Sequence, residues 1–252
     1  MFNLKVSYSW AHDRIVATRR VMVCIVLLLS GIAAHAGELV RSEADANRDA
    51  TSKPFAVLEF FGVQPGWTVL DLLAGGGYYS EVLSNAVGEQ GKVYLHNNAA
   101  YMGFVEGLDE RVADNRLPNV QTIVAEVEDV PIPDASVDMA LLVLTYHDVY
   151  FTSENWTVTA DPLFNTLKRV LKPGGVLAII DHHGTPGSGK AQVQELHRID
   201  AEFAKQDIES HGFKFVAASD LLENADDDFS KSVFDPAVRR KTSRFVYKFI
   251  KP

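Results

Sequence analysis

The sequence predicts an α/β fold, with a doubly wound, mostly parallel seven-stranded sheet and an antiparallel C-terminal edge. Short apolar runs alternate with segments of helical periodicity, which is typical of a parallel sheet covered by helices on both faces. The last two apolar runs, "FKFVAAS" and "RFVYKFI", have a long loop and no helical segment between them. They therefore predict an antiparallel pair at one edge of the sheet.

Each predicted strand is a short apolar run bounded by turn residues. In chain order the seven runs are "TVLDLL", "KVYLHN", "VQTIVAE", "VDMALLVLTY", "VLAIID", "FKFVAAS" and "RFVYKFI". Helical spacing of apolar residues predicts helices over 53–61, 78–87, 104–116, 161–171 and 192–211. Asp161 is the expected N-cap of the fourth helix. Polar composition predicts a loose arm over 37–47 and a solvated loop around Asp226–Asp228.

The N-terminal segment has the three parts of a secretory signal. Arg19 and Arg20 precede an apolar run from Val21 to Ala34, and "AHA" at 34–36 is an A-x-A cleavage site. We therefore expect a signal peptide over 1–36, a single domain over 37–252 and export, with the periplasm as destination. An uncleaved membrane anchor is the alternative, although the run is shorter than the roughly 20 residues that span a bilayer.

Charge and cysteine content narrow the classes of function. The chain carries a net charge of −9, and because residues 1–36 carry +3, residues 37–252 carry −12. An acidic surface argues against nucleic-acid partners and suits a protein that acts on small molecules. The one cysteine, Cys24, lies in the signal segment. The expected domain therefore has neither a disulfide nor a cysteine nucleophile, and we expect no stable membrane insertion after cleavage.

Polar residues follow the predicted parallel strands where each of them ends. In an open α/β sheet, ligands bind at the carboxyl ends of the strands, near the point where strand order reverses. This rule identifies candidate site residues from the chain alone. In chain order these are Ala74–Gly77, Asn97–Asn98, Glu126, Tyr146–Asp148 and Asp181–His183.

The glycine run after the first strand is the expected ligand turn. Glycines allow positive φ and a close approach of the backbone to a ligand, and the helix that follows points its N-terminal amides there. The run Gly75–Gly77 lacks both the G-x-G-x-x-G pattern and the Lys-Ser/Thr of a phosphate-binding loop. A plain tight turn remains the alternative for these glycines taken alone.

Three segments in order carry a more specific signal: "VLDLLAGGGYYSEVL", "VAEVEDVPIPDASVDMALLVLTYHD" and "LKRVLKPGGVLAIID". Together they resemble the class I S-adenosylmethionine-dependent methyltransferases over roughly residues 53–183. In finer detail the chain is similar to a bacterial group of exported methyltransferases of unknown substrate. The resemblance implies a Rossmann-like fold, S-adenosyl-L-methionine as cofactor and methyl transfer to a small-molecule acceptor.

The resemblance also implies roles for individual residues. Asp71 and the glycines Gly75, Gly76 and Gly77 would face the methionine part of the cofactor. The ribose position holds Asn97 or Asn98 where an acidic residue is usual, and Glu126 matches the acid near the adenine. The chain departs from the family pattern a second time at Leu73, which stands where the first glycine is usual.

The fourth and fifth strand ends supply candidate catalytic residues. Methyl transfer often requires a base that deprotonates the acceptor, and histidine suits that role near neutral pH. His147 or His182 is the expected base, with Asp148 orienting a histidine. Tyr146 is expected to lie at the cofactor site and to position the acceptor.

Two other readings of these strand ends stay open. Histidines with the carboxylates of Asp148 and Asp181 could form a metal site with two histidines and one carboxylate. A non-enzymatic exported protein could instead reuse the fold for binding. The segment 197–200 ("HRID") is expected to be the solvated face of the long helix over 192–211. If that helix passes over the site, His197 or Arg198 could instead contact the acceptor.

Overall fold

The computed structural model describes residues 41–252, and the predicted signal peptide over 1–36 lies outside them. A single seven-stranded sheet forms the centre, in the order β3-β2-β1-β4-β5-β7-β6. The strands are β1 (Thr68–Leu72), β2 (Lys92–Asn97), β3 (Val120–Val124), β4 (Val137–Val143), β5 (Leu171–His182), β6 (Lys214–Ser219) and β7 (Arg244–Ile250).

The pairing confirms the predicted class of fold. The first five strands pair in parallel, and β7 pairs antiparallel with both β5 and β6. The strand order reverses between β1 and β4, because the chain first builds outward to β3 and then returns to the other side of β1. Ligands bind at such a reversal in open α/β sheets.

The central strands of the sheet are buried on both faces, which explains why they are continuous apolar runs. Leu70 and Leu72 of β1 belong to one core cluster, while Val69 of the same strand belongs to a second. Alternate residues of a strand point to opposite faces, so these two clusters are the two sides of the sheet. Burial of both faces requires the helical cover that the alternating pattern predicts.

Eight α-helices connect and cover the strands in the described part of the chain. They are α1 (Glu43–Ser52), α2 (Pro54–Phe61), α3 (Tyr78–Val87), α4 (Ala99–Met102), α5 (Leu108–Val112), α6 (Ala160–Val170), α7 (Val193–Leu196) and α8 (Ala201–Ser210). Among these helices and the rest of residues 41–252, none is long and apolar enough to span a membrane.

Three sequence expectations for helices differ from the structure. The loose arm over 37–47 is wrong from Glu43 onward, because Ser42 caps α1 by accepting a hydrogen bond from the Asp45 amide at 3.1 Å. The helix over 104–116 shrinks to α5 and a short 3₁₀ turn. In α6, Thr159 is the N-cap residue and Asp161 lies in the first turn.

The long helix expected over 192–211 is broken between α7 and α8. His197 ends α7 with φ of +53°, and Ile199 then pairs in parallel with His183 just beyond β5. The Ile199 amide donates to the His182 carbonyl at 3.2 Å, and the Gly184 amide donates to the Ile199 carbonyl at 2.7 Å. Hydrogen bonds to the end of β5 therefore replace the helical ones.

This break corrects two further expectations. Arg198 is not on a solvated helical face but fully buried, with 0% of its surface exposed. It forms two hydrogen bonds of 2.9 Å to the Asp227 carboxylate and one of 2.8 Å to the Lys231 carbonyl. Asp227 is itself buried, so the acidic run around it anchors the loop between β6 and β7 to the domain.

Candidate active site

A cleft of about 420 Å³ opens at the carboxyl ends of β1 and β4, where the strand order reverses. This volume falls in the range of small-molecule sites. The lining combines the glycine turn with aromatic and charged side chains. We call it the cofactor cleft; its lining residues are Arg48, Asp71, Leu73, Ala74, Gly75, Gly76, Tyr78, Tyr79, Tyr101, Phe104, Val105, Glu106, Arg111, Val143, Leu144 and Arg239.

The glycine turn is held from both sides by side chains. Asn97, at the end of β2, accepts a hydrogen bond from the Gly75 amide at 2.8 Å and donates one to the Gly75 carbonyl at 3.0 Å. Arg111 of α5 donates to the Gly76 carbonyl at 2.6 Å. Gly77, with φ of +76°, then begins α3. These hydrogen bonds therefore hold the turn in its conformation without a ligand.

Arg111 belongs to a buried ionic network behind this turn. It contacts the carboxylate of Glu81, which is 1% exposed, and lies 2.8 Å from a carboxylate oxygen of Asp45. Arg116 and Arg41 also contact Glu81, at 2.5 and 3.3 Å. Helix α1, which carries Asp45, is thus tied to the back of the cofactor cleft.

Two leucines at the mouth of the cleft have left-handed backbone conformations. Leu73 follows β1 with φ of +57°, and Leu144 follows β4 with φ of +59°. Non-glycine residues adopt this conformation at a cost, and such strain is concentrated at functional sites. Leu73 stands where the family pattern has a glycine, and the backbone has kept the glycine-like conformation there.

Asp71 lies at the base of the cleft and is 2% exposed. Burial raises the pKa of its carboxyl to about 6, although a hydrogen bond of 2.6 Å from the Ser80 hydroxyl and the nearby Arg48 charge act against this. Arg48 stacks over the Tyr78 ring at 3.8 Å from its centroid. A carboxylate and a guanidinium therefore face the same end of the cleft.

Glu126 lies in a second cavity that adjoins the cofactor cleft through their shared wall, Phe104. Its carboxylate accepts a hydrogen bond from the Thr157 hydroxyl at 2.9 Å. Trp156 lines this cavity and packs edge to face against Tyr101 of the first one, with ring centroids 6.0 Å apart. The acid expected near the adenine is thus next to the cleft rather than in its wall.

Asn98 has an unused hydrogen-bond donor. Its side-chain oxygen caps α4 by accepting from the Tyr101 amide at 2.8 Å, while its side-chain nitrogen is buried without a partner. Buried amide groups are normally satisfied, so a lone donor indicates a missing acceptor. Of the two asparagines after β2, Asn98 has the free donor and Asn97 has both polar atoms bonded to Gly75.

Tyr146 does not line the cofactor cleft, contrary to the sequence expectation. Its ring is fully buried in the core, edge to face with Phe164 at 6.4 Å. Its hydroxyl donates to the Asp207 carboxylate of α8 at 2.5 Å. Although Tyr146 directly precedes His147, its side chain points into the core, because the chain turns after β4.

The strand-end histidines and acids form a compact group that we call the His–Asp cluster: His147, Asp148, Asp181 and His197. The Asp181 carboxylate accepts from the His147 ring Nδ1 and from the His147 backbone amide, both at 2.7 Å. On the other side of the ring, His147 Nε2 lies 3.1 Å from an Asp148 carboxylate oxygen and 3.2 Å from His197 Nδ1.

The histidines and carboxylates of the cluster shift each other's pKa values strongly. Burial alone would lower the pKa of His147, but the carboxylates of Asp181 and Asp148 outweigh it and raise that pKa to about 10. Burial would raise the pKa of Asp148, and the two histidines instead lower it to about 2. When no other cation is bound, His147 is therefore protonated between the two carboxylates. Because it already holds its proton, it cannot accept one from a methyl acceptor.

His182 is the neutral histidine of this region. Burial, with the charges of His147 and Arg244 adding to it, lowers its pKa well below the usual value. Its ring Nδ1 lies 2.8 Å from the Thr242 hydroxyl, and its ring centroid is 6.0 Å from that of His147. Of the two predicted bases, His182 is the one in the unprotonated state.

The structure thus brings some of the predicted residues together and separates others. Asp71, Gly75 and Gly76 line the cleft, Asn97 and Gly77 support it, and Glu126 lies next to it. Sequence reasoning missed several lining residues, and four of these are single arginines or a tyrosine in helices and loops, which give no distinctive pattern. They are Arg48, Tyr101, Arg111 and Arg239. His197 was expected on a helical face, either solvated or in contact with the acceptor, and the helix break that orients it has no glycine or proline to mark it.

Comparisons with known proteins agree with this site. Residues 70–179, which contain the glycine turn and the strand ends, match the methyltransferase domain family. The chain is 28% identical over 167 residues to the ubiquinone/menaquinone biosynthesis C-methyltransferase UbiE of Teredinibacter turnerae, covering 64% of this chain and 63% of that protein. The corresponding Ectopseudomonas mendocina protein is 34% identical over 127 residues, or 49% of this chain and 45% of that one. The chain therefore spans less than two thirds of these curated relatives.

Solved structures share the fold over most of the chain. A SAM-dependent methyltransferase from Aquifex aeolicus superposes with a TM-score of 0.61 at 25% identity, covering 82% of this chain and 93% of that one. A sarcosine dimethylglycine methyltransferase from Galdieria sulphuraria gives a TM-score of 0.55 at 18% identity, covering 86% and 92%, and shows the fold alone.

The sheet order and the cleft at its reversal are those of the methyltransferase fold, and residues 70–179 match the methyltransferase domain family. At low identity the chain is similar to the UbiE C-methyltransferases. The residues present fit the cofactor. The cleft has the required size, Asp71 and Arg48 supply opposite charges at one end, and Asn98 has an unpartnered buried donor at the end of β2.

Proposed function

We propose that this protein transfers the methyl group of S-adenosylmethionine to a small-molecule acceptor at the mouth of the cofactor cleft. The observation that carries the proposal is the braced glycine turn beside Asp71, at the reversal of strand order. The cofactor supplies an electrophilic methyl group on a sulfonium. What the chain must supply is binding, alignment and management of the acceptor proton.

Opposite charges at one end of the cleft suit the methionine part of the cofactor. That part carries an ammonium and a carboxylate, and Asp71 and Arg48 face the same end of the cleft. We assign the ammonium to Asp71 and the carboxylate to Arg48. We assign the ribose hydroxyls to Asn98, since both polar atoms of the Asn97 side chain are bonded to Gly75. We assign the adenine to the part of the cleft next to Glu126.

Aromatic side chains near the cleft support an apolar acceptor. Phe104, which is 84% exposed, lies in the wall shared by the two cavities. Exposed large apolar residues beside a cavity are typical of ligand sites. His182, 7% exposed, does not line the cofactor cleft, and its lowered pKa makes it a weak base, so we assign no proton-transfer step to it.

The test is calorimetric titration of the full chain with S-adenosylmethionine and S-adenosylhomocysteine. We expect binding in the micromolar range and its loss in Gly75→Arg, because a long side chain at this position fills the cleft towards Tyr101, 3.7 Å from the Cβ position. Gly66→Arg is the matched control, since Gly66 also has positive φ (+82°) but faces open space. Folded protein that binds neither compound would contradict the proposal and favour a binding protein that reuses the fold.

We also propose that the chain is exported, with residues 1–36 as the signal peptide, as in the exported group that it resembles. The support is the sequence pattern alone. Expression in a bacterial host, followed by fractionation and N-terminal sequencing, tests this. A mature chain that begins at Gly37 is expected, whereas intact protein in the cytoplasm or the inner membrane would contradict cleavage.

A further inference from the structure

The His–Asp cluster has the arrangement of a metal-binding site. Three ligand-type atoms converge in it: His147 Nε2, His197 Nδ1 and an Asp148 carboxylate oxygen. We propose that these three side chains bind a divalent transition-metal ion such as Zn²⁺, with Asp181 as the carboxylate that orients His147.

The spacing of the three atoms matches a coordination sphere. His147 Nε2 lies 3.1 Å from the Asp148 oxygen and 3.2 Å from His197 Nδ1. The Asp148 oxygen and His197 Nδ1 are 3.5 Å apart. Ligands about 2.1 Å from zinc, at angles between octahedral and tetrahedral, lie ~3.0 to 3.4 Å apart. Two of the three separations fall in this range and the third exceeds it by 0.1 Å, so a small shift lets an ion contact all three atoms.

Asp181 gives His147 the support that metal-binding histidines have. Such a histidine almost always donates its other ring nitrogen to a carboxylate or carbonyl, which fixes the ring and its tautomer. Here Nδ1 of His147 is bonded to Asp181, so Nε2 points at Asp148 and His197. Asp181 is completely buried and is held in turn by the backbone amides of His147 and His182, each at 2.7 Å.

His197 is placed by a costly backbone conformation. Its φ of +53° breaks the predicted helix and directs the ring to His147, and Phe151 and Phe234 pack on the ring with centroids at 4.6 and 4.9 Å. Strained residues of this kind persist where the surroundings fix them, and they cluster at ligand sites. The side chain keeps 20% of its surface exposed, which gives an ion a way in.

The donor set selects the kind of metal. Two imidazole nitrogens and one carboxylate favour zinc or iron(II) over magnesium and calcium, which prefer oxygen ligands. Three protein ligands also leave coordination positions for water or a bound molecule. An ion would replace the proton on His147 Nε2, so its binding releases protons.

The cluster lies beside the cofactor cleft. Trp156 donates from its indole nitrogen to the Asp148 carbonyl at 2.6 Å and packs against Tyr101 of the cleft. The metal proposal nevertheless does not depend on methyl transfer, because ion binding is measurable without cofactor or acceptor.

The experiment is a Co²⁺ titration of the full chain after removal of bound metal by a chelator, followed by visible absorption and by displacement with Zn²⁺. We expect one ion per chain, with the ligand-field bands of a nitrogen- and oxygen-bound Co²⁺. His197→Ala should weaken binding about 100-fold or more. His183→Ala is the control, since His183 stacks on Phe229 outside the cluster, and it should leave the affinity unchanged.

Asp181→Asn tests whether Asp181 positions His147. We expect this variant to bind Co²⁺ about 10- to 100-fold more weakly than the native chain. Folding of each variant is checked by circular dichroism, and His197, which is partly exposed, is the variant least expected to perturb it. A folded native chain that binds no Co²⁺ would overturn the proposal. Equal affinity of the native chain and His197→Ala would overturn it as well, because binding would then occur elsewhere.

Discussion

The side-chain amide of Asn97 hydrogen-bonds both backbone polar atoms of Gly75, at 2.8 Å to the nitrogen and 3.0 Å to the oxygen. Asparagine can do this because its amide has one acceptor and one donor group, whereas a carboxylate only accepts. The residue at the usual ribose position therefore supports the glycine turn in this chain. Its departure from the acidic pattern has a structural reason.

We expect Asn97→Asp to lower both stability and cofactor affinity, although it restores the acid that the family pattern has there. The new carboxylate oxygen would face the Gly75 carbonyl, and the loss of a buried hydrogen bond costs about 1–3 kcal/mol. Chemical denaturation and calorimetry with S-adenosylhomocysteine measure the two effects. Asn47→Asp, at an exposed position of α1, is the control and should change neither stability nor affinity. Equal stability of Asn97→Asp and the native chain would contradict this role.

Leu73 allows a test of backbone strain at the cleft. Leu73→Ala and Leu73→Gly remove nearly the same buried side chain, but only glycine relieves the left-handed conformation at φ +57°. We expect both variants to be less stable than the native chain, and Leu73→Gly to be more stable than Leu73→Ala by about 1 kcal/mol. Urea denaturation decides the order, and the reverse order would show that the strain is released by local rearrangement.

The raised pKa of Asp71, about 6, predicts a pH dependence of cofactor binding. If the ionised carboxylate binds the cofactor ammonium, affinity for S-adenosylhomocysteine should rise about tenfold between pH 5 and pH 7. Because the folded pKa lies above the unfolded value, ionisation of Asp71 costs stability as pH rises from about 4 through 6. Asp71→Asn should flatten the affinity profile. An unchanged profile in that variant would assign the dependence to another group.

The buried Glu81 predicts a large loss of stability when its charge is removed. Glu81→Gln leaves the guanidinium groups of Arg111, Arg116 and Arg41 without their common counter-charge. Loss of one partner of a buried ion pair costs about 3–5 kcal/mol. Asp134→Asn is the matched control, because Asp134 is 78% exposed and pairs with Arg169 at the surface. That variant should cost less than about 1 kcal/mol. Similar losses in both variants would contradict the network.

The sequence predicts the sheet well because its signals are local. The apolar runs, the α3 boundaries and the antiparallel C-terminal pair follow from periodicity and turn residues. The expected site residues at the ends of β1 to β5 follow from the rule for parallel sheets. Their individual roles stay predictions.

The long-range contacts could not be predicted in the same way. Nothing local indicates that His197 leaves helical geometry, since the reason is hydrogen bonding of Ile199 to the end of β5. The charged segment with Arg198 and the acidic run with Asp227 each look solvated alone. They are buried because they neutralise each other across 29 positions of the chain. Pairings between distant segments decide these details, and periodicity does not report them.

The position of β7 has a consequence for how the chain reaches its folded state. β6 is made before β7, yet within residues 41–252 its only neighbour in the sheet is β7, which lies between it and β5. During synthesis β6 therefore has no partner, and β5 keeps an open edge until residues 244–250 are available. Such non-local closure is slow, and it leaves unpaired edges exposed to association with other chains in the meantime. Truncation before Arg244 should accordingly yield aggregated protein rather than a smaller stable domain.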